Sequence, residues 1–349
     1  MKRNNLIVLV VIAMWLVPRM SNGQWVMQHS GTKERLRAVD AVSPLVVWAS
    51  GNHGTVLRTV DGGKTWKHVD VPETDSLDFR DIEAFSALTA YTMSIGTGKS
   101  ARIYKTTDGG ANWRLSFENP EPRAFYDAMA FWDESTGLAV GDELDGTLMI
   151  VHTTDGGTTW RMGPRSELPQ ANAGEGAFAA SGTCITVADP AYAWIGTGVN
   201  GARVYRSWNK GALWGMSIVP LAHGTSSSGV FSVLFPTPGK GVIVGGNFQD
   251  EANRSGTSAI STDSGMNWKA STTMPGGYRS CVVAVPGTPG PTLITVGPNG
   301  SDYSLDMGAS WNAIDTTGFH AVSFAGPTNA GWAVGEGGRI GRFAGEVPK

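Results

Sequence analysis

The feature that most constrains this chain is a short segment that keeps returning. Thr59-Val-Asp61-Gly-Gly-Lys-Thr-Trp66, Thr106-Thr-Asp108-Gly-Gly-Ala-Asn-Trp113 and Thr153-Thr-Asp155-Gly-Gly-Thr-Thr-Trp160 stand 47 residues apart. Two further copies follow, Ser261 to Trp268 and Ser304 to Trp311, and a sixth, Ser207 to Trp214, carries Asn209 where the others have Asp. A period of that length belongs to stacked or radial repeats, in which one unit cannot bury its own apolar face and neighbours must cover it. Within each copy the Asp or Asn side chain accepts backbone N–H groups of a tight turn. Gly supplies positive φ, and the Trp that follows buries its ring between neighbouring units.

Upstream of each copy run a β-rich stretch, a Gly-rich loop and a second β-rich stretch, which reads as one hairpin feeding another. Seven such hairpins can be counted: 46–59, 91–106, 138–153, 192–207, 242–261, 293–304 and 332–343. The seventh has no box and no trailing Trp. Gln24-Trp25-Val-Met-Gln28 supplies the missing piece, because it matches the outer strand that follows each box, as in Thr65-Trp66-Lys-His68. The expected fold is therefore all-β: a single seven-bladed β-propeller over residues 24–349 whose last blade is closed by the N-terminal strand, leaving no open sheet edge. In this register Trp25, Trp66, Trp113, Trp160, Trp214, Trp268 and Trp311 anchor outer strands, and Trp48, Trp194 and Trp332 lie in second strands.

Residues 1–23 read as a signal peptide, with Lys2 and Arg3, an apolar run from Leu6 to Val17, and small residues Ser21 and Gly23 before a cleavage point. That run is too short for a span that needs about 20 residues. Of 27 basic and 30 acidic side chains, the leader takes three basic ones and no acid, leaving 24 against 30. Such an acidic balance argues against nucleic acid as a partner. The expected setting is secreted or periplasmic, as a monomer. Cys184 and Cys281 fall in inner strands of blades that are not neighbours, so two free thiols are expected rather than a bridge.

Six boxes at this spacing resemble the Asp-box, or bacterial-neuraminidase-repeat, propellers over Gln24 to Phe343. That group includes sialidases, tandem-propeller xyloglucanases, and non-enzymatic proteins such as sortilin and the photosystem II stability/assembly factors. A single propeller with Thr-x-Asp-Gly-Gly-x-x-Trp boxes looks most like the exported assembly-factor type. The resemblance implies a non-catalytic binding or assembly scaffold whose partner is an envelope or extracellular protein or a glycan. The alternative it carries is a sialidase-like glycoside hydrolase, not an oxidoreductase.

Several motifs have plainer readings. Gly196-Thr-Gly198-Val-Asn-Gly201 matches a dinucleotide fingerprint, but Arg203 to Arg206 continues as a β-run where a helix must open. Asp142 to Gly146 lacks the alternating oxygen ligands of an EF-hand and reads as a hairpin tip. The six histidines lack zinc spacing, no nucleophile elbow is present, and no metal or cofactor is expected.

Polar residues recur where one blade ends and the next inner strand begins, around one mouth of the channel. They are Arg35, Arg37, Asp78, Arg80, Asp81, Tyr126, Asp127, Glu175, Ser228, Tyr278, Arg279 and His320. Three readings are open: structural ion pairs around a wet channel, a ligand or partner site, or a catalytic site. The candidates for a site are Arg37, Arg80, Asp81, Asp127, Glu175, Tyr278, Arg279 and His320. Sialidases hold a substrate carboxylate with three arginines and use a Tyr–Glu pair with an Asp. Arg37, Arg80, Arg279, Tyr278, Glu175 and Asp127 supply those types in a different chain order. The boxes fall at the opposite hairpin ends, and the tips Leu168 to Gly182 and Gly245 to Thr257 are candidates for partner contact.

Overall fold

The computed structural model describes residues 24–288 and 290–344, so the leader at 1–23 lies outside the described residues. Seven antiparallel sheets follow one another around a ring. Blade 1 takes Leu36–Ala41, Val47–Gly51, Val56–Thr59 and Lys67–His68 from the inside outward. The other inner strands, in blade order, are Phe79–Ala84, Phe125–Phe131, Ile185–Ala188, Ser228–Thr237, Cys281–Ala284 and Ala321–Ala325. Blade 3 has a fifth strand, Gly96–Thr97, lent by the loop of blade 2.

The ring closes through the N-terminus. Trp25–Gln28 pairs with Ile340–Phe343 in the register Trp25 to Phe343 and Gln28 to Ile340. Trp25 is buried against Phe319 and Phe343, with ring centroids 5.1 and 5.4 Å away. Its indole N–H points to Ser301 Oγ of blade 6 at 3.3 Å, and Gln28 Oε1 receives the Trp66 indole of blade 1 at 3.1 Å. One short strand thus ties three blades together.

The repeated turn has the chemistry its letters imply. Thr59 Oγ1 donates to Asp61 Oδ1 (2.8 Å) and accepts the Gly63 N–H (2.9 Å), while Asp61 Oδ1 accepts the Thr65 N–H (2.9 Å). The Asn209 copy makes the same set, with the Leu213 N–H at 2.8 Å from Asn209 Oδ1. Two consecutive residues of each turn are left-handed; in three copies the first of them is Lys210, Ser264 or Met307 rather than Gly.

Apolar clusters fill the seams between blades, and most box tryptophans donate their indole N–H backward to the previous blade. Examples are Trp160 to Ser116 Oγ (3.1 Å) and Trp311 to Ser258 Oγ (3.0 Å). Two of the second-strand tryptophans reach forward instead, Trp48 to the Ser86 carbonyl (3.0 Å) and Trp194 to the Ser264 carbonyl (2.9 Å), whereas Trp332 Nε1 has no partner among the described residues. Cys184 and Cys281 are free and buried. No helix among the described residues is long and apolar enough to cross a membrane.

Candidate site at the channel mouth

Each inner strand starts at the mouth and ends beside the boxes, since the Gly62 N–H of a box bonds the Leu45 carbonyl after the blade 1 inner strand. Residues just before or at the head of an inner strand therefore converge on the mouth from all blades. Whether they are free to meet a ligand depends on what each has already bonded.

Three of the candidates are engaged by neighbouring protein groups. Glu175 is wholly buried and receives Thr197 Oγ1 (2.6 Å), Tyr205 Oη (3.1 Å), the Asn172 N–H (2.9 Å) and Arg203 Nη1 (3.1 Å). Arg279 is buried with Nε on Asp302 Oδ2 (2.6 Å) and Nη1 on Asn299 Oδ1 (2.5 Å) and on the Tyr278 carbonyl (2.9 Å). Asp127 faces Asp142. Burial first, then the Asp142 charge, holds the Asp127 carboxyl well above the usual range, and burial pushes Asp142 up to about 6. Asp127 Oδ2 and Asp142 Oδ1 have no other partner, so a single shared proton satisfies both.

The partners Arg203, Asp302 and Asp142 were not singled out from the sequence. Arg203 opens the third strand of blade 4 and Asp302 lies at the middle of the third strand of blade 6, so an opposite charge in the third strand was the available signal. Asp142 sits in the hairpin segment read as a solvated tip, yet it turns inward.

Asp81 lies one step further down its strand. It is buried, accepts the Met129 N–H at 2.7 Å, and is pushed up to about 8, chiefly by burial. Tyr278 is buried against Phe231 (4.7 Å, edge-on), and burial raises its phenol.

The channel is not open. Residues 175–183 cross it as a plug without regular structure. Arg80 Nη1 bonds the Ala179 carbonyl (3.1 Å) from blade 2, and Phe178 stacks on Phe231 of blade 5 at 3.8 Å. Ser181 Oγ bonds the Ser280 carbonyl (2.8 Å) of blade 6, and Thr183 Oγ1 bonds Ser232 Oγ (2.7 Å) of blade 5. Gly182 has φ of 79°, and a Cβ there would run into Asp81. Of the tip Leu168 to Gly182, the part from Glu175 onward is thus largely interior, whereas Ala173 and Gly174 are exposed. The second tip does stand out: Phe248 is 42% exposed, and the Glu251 carbonyl holds the Tyr278 N–H at 2.9 Å.

What remains at the mouth is a cationic group above the plug. Arg37 lies there among Arg35, Arg80 and Tyr278, and burial followed by the neighbouring Arg80 charge lowers its guanidinium to about 10. Among the described residues no hydrogen bond or ion pair reaches Arg37, and its Nε is buried without a partner. Arg80 is shared with Asp78 (Nε to Oδ2, 2.8 Å), and Arg35 approaches Glu336 only at 3.7 Å. His320 Nε2 is 3.0 Å from Glu336 Oε1. Burial and the Arg37 charge lower its imidazole to about 4, so it is neutral at pH 7 and donates to Glu336. Around Arg37 the Arg35 and Arg80 charges outweigh that of Asp78, while Glu336 lies against Arg35 and His320 and the Glu251 charge reaches Tyr278, which leaves local positive charge at Arg37.

No protein-family model matches the sequence, and no curated protein matches it. Solved structures do. YCF48 bound to D1 peptide is 15% identical with a TM-score of 0.62, covering 94% of this chain and 97% of that one. YCF48 from Cyanidioschyzon merolae is 16% identical with a TM-score of 0.66, covering 92% and 99%. An ancestral GH74 enzyme is 13% identical with a TM-score of 0.65, covering 91% of this chain but 46% of that one. At these identities the likeness is one of fold: the chain is a seven-bladed β-propeller, the architecture it shares with these structures.

Proposed function

We propose that this protein is an exported, non-catalytic binding scaffold of the assembly-factor type, which holds an acidic segment of an envelope or extracellular protein at the arginine mouth. The observation that carries the reading is Arg37. It is partly buried, its Nε has no partner, and no ion pair reaches it among the described residues, so it offers unused donors to an anionic ligand. Guanidinium forks favour carboxylates through paired, charge-assisted hydrogen bonds. Phe248 on the neighbouring tip offers an apolar contact beside the charge. The similarity to YCF48 bound to D1 peptide supports a peptide as the kind of ligand such a ring accepts. The proposed site is Arg37, Arg80, Tyr278 and His320, with Arg35 and Phe248 at its rim. Asp81, Asp127, Glu175 and Arg279 support it from below and beside.

The glycoside hydrolase alternative draws on the GH74 likeness. It needs two carboxyl groups that reach a glycosidic bond. Glu175 is spent on four partners, and Asp127 shares its proton with Asp142 beneath the plug. The geometry favours binding. Affinity capture from envelope extract on wild type and on Arg37→Ala tests it: proteins retained by the wild type and lost by the variant are expected. Turnover of a sialoside or xyloglucan that disappears in Glu175→Gln would overturn the non-catalytic reading.

A further inference from the structure

Below the plug the channel widens again into a funnel of about 310 Å³, walled by the lower halves of the inner strands. Those strands run toward the box turns, so the funnel belongs to the face opposite the arginine mouth. Its roof is Ser181 to Thr183, and Val187, Val233 and Val283 form much of its wall. On one side three carboxyl groups gather from blades 1 and 2: Asp40, Asp81 and Glu83. Among the described residues no lysine, arginine or histidine lines this space.

Two of the three are anchored. Asp40 Oδ2 accepts the Ala84 N–H at 2.7 Å and faces Ser323, and Asp81 Oδ2 accepts the Met129 N–H. Glu83 is not: among the described residues no hydrogen bond or ion pair reaches it, and its charged neighbours are the carboxylates Asp40 and Asp81. It is enclosed by protein, and solvent meets it through the funnel it lines. Glu83 is partly buried, and its oxygens meet solvent through the funnel rather than a protein donor, so beside Asp40 and Asp81 it presents free acceptors to a cationic ligand.

We propose that this funnel binds an alkylammonium group, its charge against Glu83, Asp40 and Asp81 and its methylenes against the valines. The volume is at the lower end of ligand cavities, enough for a short aliphatic cation. A metal ion fits less well, because no three such side chains among the described residues converge closely enough to hold one. The carboxyl groups are raised by burial, so a bound cation draws their ionised forms and releases protons. The groups facing Glu83 are Asp40 on the blade 1 strand and Asp81 on its own strand; the facing positions of blades 4 to 7 are hydroxyls and aliphatic side chains.

Titration calorimetry of the mature protein with 1,4-diaminobutane, Nα-acetyl-lysine amide and 1-butanol tests this. Saturable binding of an amine, none of the alcohol, and affinity at least about tenfold weaker in Glu83→Gln are expected, the loss of one charge-assisted contact. Affinity should rise from about pH 6.5 to 8.5, with buffer-dependent heat from released protons. Tighter binding of the diamine points to a free polyamine, and tighter binding of the lysine amide to a protein side chain. Arg37→Ala, at the other face, should bind as wild type does. Glu83→Gln should melt no lower than wild type, because it removes a carboxyl that no protein group pairs. No saturable amine binding at concentrations up to about 10 mM, undiminished binding in Glu83→Gln, or displacement by equimolar Mg²⁺ would each overturn the proposal.

Discussion

Removing Trp25 should cost more stability than removing any single half-buried box tryptophan, because this ring closes the propeller. Trp25 is 5% exposed, packs on Phe319 and Phe343, and sits on a strand of four residues with no covalent neighbour in its own blade. Burial of a tryptophan withdraws about 150–250 Å², which at about 25 cal/mol per Å² is roughly 4–6 kcal/mol. Trp25→Ala should therefore lose about 3–5 kcal/mol, the usual range for a large core truncation. Trp113 is a useful comparison: it is half-buried and its indole N–H has no partner, so Trp113→Phe should cost about 1 kcal/mol or less. Urea unfolding of the chain from Gln24 measures both. Deleting residues 24–29 goes further, exposing Ile340 to Phe343 as an unpaired edge, and a synthetic peptide of that sequence should restore part of the loss by adding back the strand. If Trp25→Ala lies within about 1 kcal/mol of wild type, or no worse than Trp113→Phe, the ring is not held by its N-terminus and the closure account fails.

Other expectations follow from the same contacts. Asp40 and Asp142 are raised to about 6 and Asp81 to about 8; the unfolded chain ionises these groups from near 4, so their stabilisation is present below that and lost as pH rises through 6 to 8. Asp61 and Asp155 are lowered to about 2 by their turn hydrogen bonds, so their contribution is lost as pH falls from 4 toward 2. The urea midpoint should be highest near pH 4–5 and decline by pH 8, and a midpoint that rises over that interval would contradict the carboxyl assignments. Lys210→Gly, Ser264→Gly and Met307→Gly should each stabilise by up to about 1 kcal/mol, since each relieves a left-handed non-glycine residue; melting temperatures that fall would count against this. Arg203→Ala should destabilise by about 3–5 kcal/mol by stranding the buried Glu175 carboxylate, and a melting point equal to wild type would show that Glu175 is not locked.

The architecture was legible because the boxes recur with physically required letters. Once Thr59 to Trp66 sets the register, the seven hairpins, the two kinds of tryptophan and the role of Trp25 follow. The site was less so. Arg279 and Glu175 were visible as charges at blade junctions, but their partners Asp302 and Arg203 lie in third strands some 25 residues away, and only folding brings those together. The plug was hidden for a different reason. Residues 175–183 carry small residues and no periodicity, so nothing local distinguishes an exposed tip from one held inside by contacts to four other blades. Asp40 and Glu83 escaped notice because a carboxyl alternating with Val39 or Ile82 looks like any solvent-facing strand position, whereas in an inner strand it faces the channel.

The central claim is that the arginine mouth takes a carboxylate-bearing peptide, and fluorescence anisotropy tests it most directly. A labelled acidic peptide and its Asn/Gln counterpart are titrated with wild type and with Arg37→Ala at low and high salt. The account predicts binding of the acidic peptide alone, weakened at least about tenfold by Arg37→Ala and by high salt. Equal binding of both peptides, or affinity that Arg37→Ala leaves unchanged, would contradict it.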